Sequence, residues 1–155
     1  MITIRDYEPS DAKALWDIYF HTIRTINSRD YAQEQVEAWA PESMEFELWE
    51  NRMKIMTPFI AEVEGSIVGY ADLQSNGLID HFFCHHHFQR QGVGRALMEH
   101  ILSTGKRAGL TRFYSEVSIT AKPFYEHFGF NVVQEQLVEM RGQNIRNFVM
   151  EKQLT

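Results

Sequence analysis

Between His81 and Leu102 the chain reads HFFCHHHFQRQGVGRALMEHIL. An apolar run of strand character passes through His85-His86-His87 and Gln89-Arg90-Gln91-Gly92-Val93-Gly94 into the spacing of an amphipathic helix. This strand, glycine turn and helix commit the chain to a fold that mixes the two element types. They also form a device for holding an anion. The first N–H groups of a helix have no partner within it, and the helix dipole makes that end positive. Glycines let the backbone approach a ligand closely, which suits phosphate or pyrophosphate. Arg90 and Arg95 can add charge there.

Hydrophobic periodicity places the other elements around this unit. Ile2 and Ile4 alternate with Thr3 and Arg5 as in a short strand. Leu15, Ile18, Tyr19 and Thr22 recur at helical spacing after Pro9 and Ser10. YAQEQVEAWA (31–40) is a second helical stretch, stopped by Pro41. SMEFELWENRMKIM is a third, with Phe46, Trp49 and Met53 on one face. After Pro58 the period becomes alternating, with turns at Glu64-Gly65 and Asn76-Gly77 that predict three antiparallel strands. The helix from about Gly92 to Arg107 follows, closed by Gly109. TRFYSEVS is a strand, TAKPFYEHFGF a short helix ended by Gly129, and two strands about Arg141-Gly142 finish the chain. The expected order is β-α-α-β-β-β-α-β-α-β-β. It predicts an α/β fold: a mixed, mostly antiparallel central sheet of about seven strands, with about four helices on both faces. No linker, repeat or low-complexity segment divides the chain, so residues 1–155 are expected to form a single domain.

Composition narrows the function. With 44% hydrophobic residues the chain can build one real core. A net charge of −6 without a long basic run argues against a nucleic-acid partner. No apolar stretch approaches membrane-spanning length, and the N-terminus has neither signal- nor transit-peptide character. Cys84 is the single cysteine, so no internal disulfide can form. A cytoplasmic setting with no membrane association is therefore expected.

The common phosphate loops do not fit. Gly94 is followed by Arg95-Ala96, not by the Lys-Ser/Thr of a Walker A loop. Gly92-Val93-Gly94-Arg95-Ala96-Leu97 lacks the third glycine of a dinucleotide fingerprint. Gln89-x-x-Gly92-x-Gly94 instead resembles the Gln/Arg-x-x-Gly-x-Gly/Ala pyrophosphate loop of the GCN5-related N-acetyltransferases. The likeness extends upstream through LIDHFFC and downstream through SITAKPFYEHFGF, where a tyrosine precedes a Gly-Phe pair, and NFVMEK. YAQEQVEAWA is similar to a bacterial branch, the YafP-like proteins.

The resemblance implies the acyl-CoA N-acyltransferase fold, with acetyl-CoA as co-substrate and a small-molecule amine, or a peptide, as acceptor. Direct transfer in a ternary complex then requires four tasks. The loop Gln89, Arg90, Gln91, Gly92, Val93, Gly94 and Arg95 would hold the pyrophosphate. Backbone of Phe82, Phe83 and Cys84 would pair with the extended pantetheine arm in the gap where, as the resemblance implies, the fourth and fifth strands splay apart, and an N–H of that strand would steady the thioester oxygen. Ser118 stands where many members carry an asparagine that bonds the pantetheine, and is shorter. Tyr125 occupies the general-acid position, where a phenol suits a departing thiolate. The alternative to this preferred role is a core tyrosine beside Phe124, Phe128 and Phe130. Asp80 is the preferred base for the amine, with His81 or a water as alternatives, and strand alternation lets only one of the two side chains reach a cleft. Asp80 could also merely close the hairpin at Asn76-Gly77.

Three consecutive histidines at a strand exit do not have the separated spacing of a metal site, so no metal is expected. Cys84 lies in an apolar strand, where cysteine behaves as a small hydrophobe. Tyr19, Thr22, Asn27, Tyr31, Trp39 and the loop TINSRD are the material for an acceptor site. The alternative function is a catalytically silent acyl-CoA-binding module of the same fold. Homodimerisation through the final hairpin is a further expectation.

Overall fold

Leu15, Ile18, Tyr19, Thr22 and Ile23 share the buried face of helix α1 (Ala12–Thr25), the stripe that the sequence period marked. The computed structural model describes residues 1–154. Strand β1 (Ile2–Asp6) precedes α1, and α2 (Gln33–Trp39) and α3 (Phe46–Met56) follow it. The sheet-forming half contains β2 (Phe59–Val63), β3 (Ser66–Ala71), β4 (Phe82–Cys84), α4 (Val93–Arg107), β5 (Arg112–Ser118), α5 (Lys122–His127), β6 (Asn131–Met140) and β7 (Gln143–Gln153). The observed order is β-α-α-α-β-β-β-α-β-α-β-β; the helix it has beyond the expected order is α3, which falls on the stretch SMEFELWENRMKIM that the periodicity marked as helical. On α3, Trp49 and Met53 are buried as predicted, but Phe46 is 39% exposed because it sits in the first turn, beyond the packed face.

The seven strands do not form one continuous sheet. β1-β2-β3-β4 make one antiparallel sheet, and β5-β7-β6 make another. A single parallel bridge, Leu78 to Tyr114, joins them. It lies in the turn between β3 and β4. Gly77 accepts from the Tyr114 N–H at 3.0 Å, and the Ile79 N–H donates back to Tyr114 at 2.9 Å. Gly77 has φ +93°, and a Cβ there would lie 2.2 Å from the Arg112 carbonyl oxygen. Only glycine permits this docking. Beyond the bridge β4 and β5 separate and share no ladder.

Two apolar clusters fill the two faces. Helices α1, α2 and α3 pack over Ile60, Tyr70 and Ile145. Helices α4 and α5 pack over Ala61, Ala71, Phe113 and Met150. A register shift at Ala61/Glu62 leaves Val68 without a partner across β2, and Val68 joins the second cluster while its neighbour Ile67 packs against the first. No helix among the described residues is long and apolar enough to cross a membrane.

Candidate active site

The gap between β4 and β5 has unpaired backbone on both lips. On β4, His81 and His85 bond toward β3 through Asp72 and Val68, and Phe83 pairs with Tyr70. Period two therefore turns the backbone of Phe82 and Cys84 into the gap and that of Phe83 away from it. On β5, Tyr114 makes the bridge, so Glu116 and Ser118 present their N–H and C=O groups to the gap. The gap opens into a cleft of about 800 Å³.

The glycine turn stands at one end. Arg90 (φ +61°) and Gly92 (φ +89°) are both left-handed, which folds the backbone into a concave nest. Gly92 is the N-cap of α4 and no side chain caps that end. The first backbone bond into the helix is Ala96 N–H to Gly92 C=O, 3.0 Å. The amides before it are free to meet an anion. Gly94 packs so closely on Phe124 that a Cβ would lie 2.9 Å from its ring. Arg90, Gly92, Gly94 and Arg95 line the cleft. Val93 instead enters the core, and Gln91 is exposed outside the cleft lining. The Gln89 side chain turns back and donates to the Cys84 carbonyl at 2.9 Å, which also accepts from the Thr22 hydroxyl at 2.9 Å. Gln89 and Thr22 thus fix the β4 exit.

Tyr125 lies on α5 at the cleft floor, buried between Phe82, Phe124 and Phe130. It is at once a core tyrosine and a cleft residue. Gly129 closes α5 as expected, the Phe130 N–H reaching back to the Tyr125 carbonyl at 3.1 Å. The Tyr125 hydroxyl stands 3.5 Å from Ser115 Oγ, which donates to the Ile79 carbonyl at 2.7 Å. Burial holds the phenol well above its usual pKa, with Ser115 opposing. Ser118 Oγ accepts the Ala121 N–H at 3.0 Å and so caps the turn into α5.

Asp80 and His81 both line the cleft, contrary to the alternation argument. They precede β4 in irregular backbone. The buried Asp72 carboxylate holds that segment, accepting the Asp80 and His81 N–H groups at 2.7 and 2.8 Å. The Asp80 carboxylate has no hydrogen-bond or ion-pair partner among the described residues. Its pKa is raised by partial burial; Arg52 opposes this and Glu116 adds to it. His81 is buried, stacked on Tyr19 at 5.4 Å, and shares a 3.0 Å hydrogen bond with the Tyr70 hydroxyl through Nδ1. Burial, aided by Arg52, lowers its pKa to about 3, so it is neutral at pH 7. Burial pushes the Cys84 thiol up to about 12, the reverse of what a nucleophile needs.

Tyr19, Thr22, Asn27, Tyr31 and Trp39 all reach the cleft. Ser115, Arg52, Glu116 and Asp72 matter to the site and were not singled out from sequence. Only Ser115 carried a signal, since it lies on the cleft-side strand at an inward alternate position. The rings of His85, His86 and His87 cluster, with centroids 4.6 and 4.0 Å apart along the run. No group of His, Cys, Asp and Glu side chains among the described residues is placed to share a metal ion.

Comparison with known proteins decides the family. Residues 27–154 match the family model for the acetyltransferase (GNAT) domain. The chain belongs to the GNAT acetyltransferases. It is 30% identical over 149 residues to the N-acetyltransferase YafP of Escherichia coli K12, covering 96% of this chain and 94% of that one. Among solved structures, a GCN5-related N-acetyltransferase from Rhodopseudomonas palustris superposes with a TM-score of 0.93 at 27% identity, over 98% of this chain and 95% of the other. YncA of Salmonella typhimurium, solved with acetyl-CoA, gives a TM-score of 0.73 at 18% identity over 100% and 95%. This chain is an N-acetyltransferase by membership.

Proposed function

We propose that this GNAT protein moves the acetyl group of acetyl-CoA to a primary amine of a small molecule or peptide, by direct transfer in a ternary complex. The observation that carries the reading is the parted pair β4/β5, with the uncapped N-terminus of α4 at one end of the cleft and Tyr125 on its floor. A structural relative with the same fold is known with acetyl-CoA bound. The groups present fit that co-substrate. The nest at Arg90–Gly92 and the amides of Val93 to Arg95 suit a pyrophosphate, aided by Arg90 and Arg95. The Phe82 C=O and the Cys84 N–H face the gap where an extended amide arm would add as a strand.

Acetyl-CoA supplies an activated thioester. The nitrogen–carbon bond forms as the carbon–sulfur bond breaks. Asp80 takes the proton shed by the amine, directly or through a water; its raised pKa makes it a better base than an ordinary aspartate. His81, with a pKa near 3, is too weak a base for that task. Tyr125 stays protonated through the neutral range and gives its proton to the departing thiolate. Ser115 has committed its own proton to Ile79, so its oxygen faces the phenol as an acceptor and orients it.

Tyr125→Phe keeps the ring and its packing. It is expected to lower kcat by about 100-fold, within the range for a general acid, while the affinity for acetyl-CoA stays within a factor of two. Release of free CoA in the presence of an amine panel measures the first, and calorimetry the second. A variant with unchanged kcat would remove Tyr125 from the chemistry. Wild-type protein that binds acetyl-CoA but acetylates no amine would favour the silent module.

A further inference from the structure

The acceptor end of the cleft contains one positive charge that the proposed chemistry does not use. Arg52 projects from α3 one turn beyond the buried Trp49. It is exposed, lines the cleft and makes no salt bridge or side-chain hydrogen bond among the described residues. Trp49, one turn before Arg52 on α3, packs 6.0 Å from the His81 ring and 5.2 Å from Tyr19, whereas Arg90 and Arg95 flank the glycine turn. Its guanidinium therefore belongs to the Asp80 end, not to the glycine turn. Arg52 and Asp80 share that end without pairing with each other, so each is left open to a ligand.

The positive fork and the open carboxylate define a complementary molecule. An amine with no other charge would satisfy Asp80 but leave the Arg52 guanidinium without an anionic partner. A phosphate dianion would satisfy Arg52 but face Asp80 and Glu116. A single carboxylate near the amine answers both, and its planar geometry matches a guanidinium. Tyr19, Trp39, Met140 and Ile145 give the same region apolar walls. We infer that the acceptor is an α-amino acid with an apolar side chain, its carboxylate held by Arg52 and its amine directed to Asp80. This inference rests on the acetyltransferase reading and narrows its substrate class.

The test compares phenylalanine, phenylalaninamide and phenethylamine, with leucine and its amide as a second series, in a CoA-release assay. Wild-type protein is expected to favour the free amino acids over their amides and over the plain amine by roughly tenfold or more in kcat/KM, the worth of one charge-assisted contact. Arg52→Gln should abolish that preference by lowering kcat/KM for the amino acids alone, and Arg52→Lys should retain part of it. The KM for acetyl-CoA and the melting temperature should not move, since Arg52 makes no structural bond. Equal use of amino acid, amide and amine, or an equal loss on all three in Arg52→Gln, would overturn the inference. Acetyl-CoA binding with no turnover of any free amino acid would overturn it too, while leaving co-substrate binding in place. No acetyl-CoA binding would remove the inference and the underlying reading together.

Discussion

At the scale of single residues, the site depends on side chains whose environment sets their protonation. His81 is the clearest case. Its lowered pKa means that the folded state releases a proton that the unfolded state keeps between about pH 3 and 6.5. The unfolded chain binds more protons in that window, so stability rises with pH there and is lost as pH falls through it. The slope from this one group approaches about 1.4 kcal/mol per pH unit. His81→Leu is therefore expected to flatten the acid limb of stability between pH 6 and 4 by about one proton, in urea titrations at several pH values. The same variant leaves the Tyr70 hydroxyl unpaired and should cost about 1–3 kcal/mol at pH 7. An unchanged acid slope would show that His81 is not buried neutral. Tyr125 and Asp80 were legible as candidates because they occupy family positions. Their neighbours Ser115 and Arg52 were not, because neither placement follows from spacing along the chain: Ser115 meets Tyr125 across a strand–helix packing, and Arg52 comes to the same cleft as Asp80 from a separate helix.

Elements carry the next level of the account. The turns were readable because glycine and asparagine mark left-handed backbone: Glu64-Gly65, Gly77, Gly109, Gly129 and Arg141-Gly142 all fall where expected. The division of the sheet was legible only through the family likeness, which implies that the fourth and fifth strands splay apart, and not from periodicity. Alternation shows that β4 and β5 are strands, but not that they touch at one bridge and then part. The bridge that joins the two sheets depends on docking Gly77 against Arg112. Gly77→Ala should therefore cost about 2–4 kcal/mol, combining backbone strain with a backbone collision. Gly142→Ala, with nothing near its Cβ, should cost only about 1 kcal/mol of strain. Thermal melts of the two variants test the difference. Equal losses would show that the β3–β4 turn does not hold the two sheets together. The histidine run marks a further limit: its position at a strand exit does not show that the His85 and His86 rings stack and that His87 packs against them.

For the whole molecule, a chain of net charge −6 is read as binding a polyanion. The attraction is then local: unpaired amides at the α4 N-terminus, with Arg90 and Arg95 beside them. Two sheets, two cores and a single bridge place that positive end, the open backbone of Phe82 and Cys84, and the Asp80–Arg52 end along one cleft. The central claim is that this cleft holds acetyl-CoA by its pyrophosphate and its arm together. Calorimetric titration of the wild-type protein with acetyl-CoA and, separately, with acetyl-pantetheine tests it most directly, because the second probe lacks the nucleotide and its pyrophosphate. The account predicts micromolar binding of acetyl-CoA, and binding of acetyl-pantetheine weaker by roughly a hundredfold, the worth of two charge-assisted contacts. Equal affinity for the two, or no heat from acetyl-CoA at about 1 mM, would contradict it.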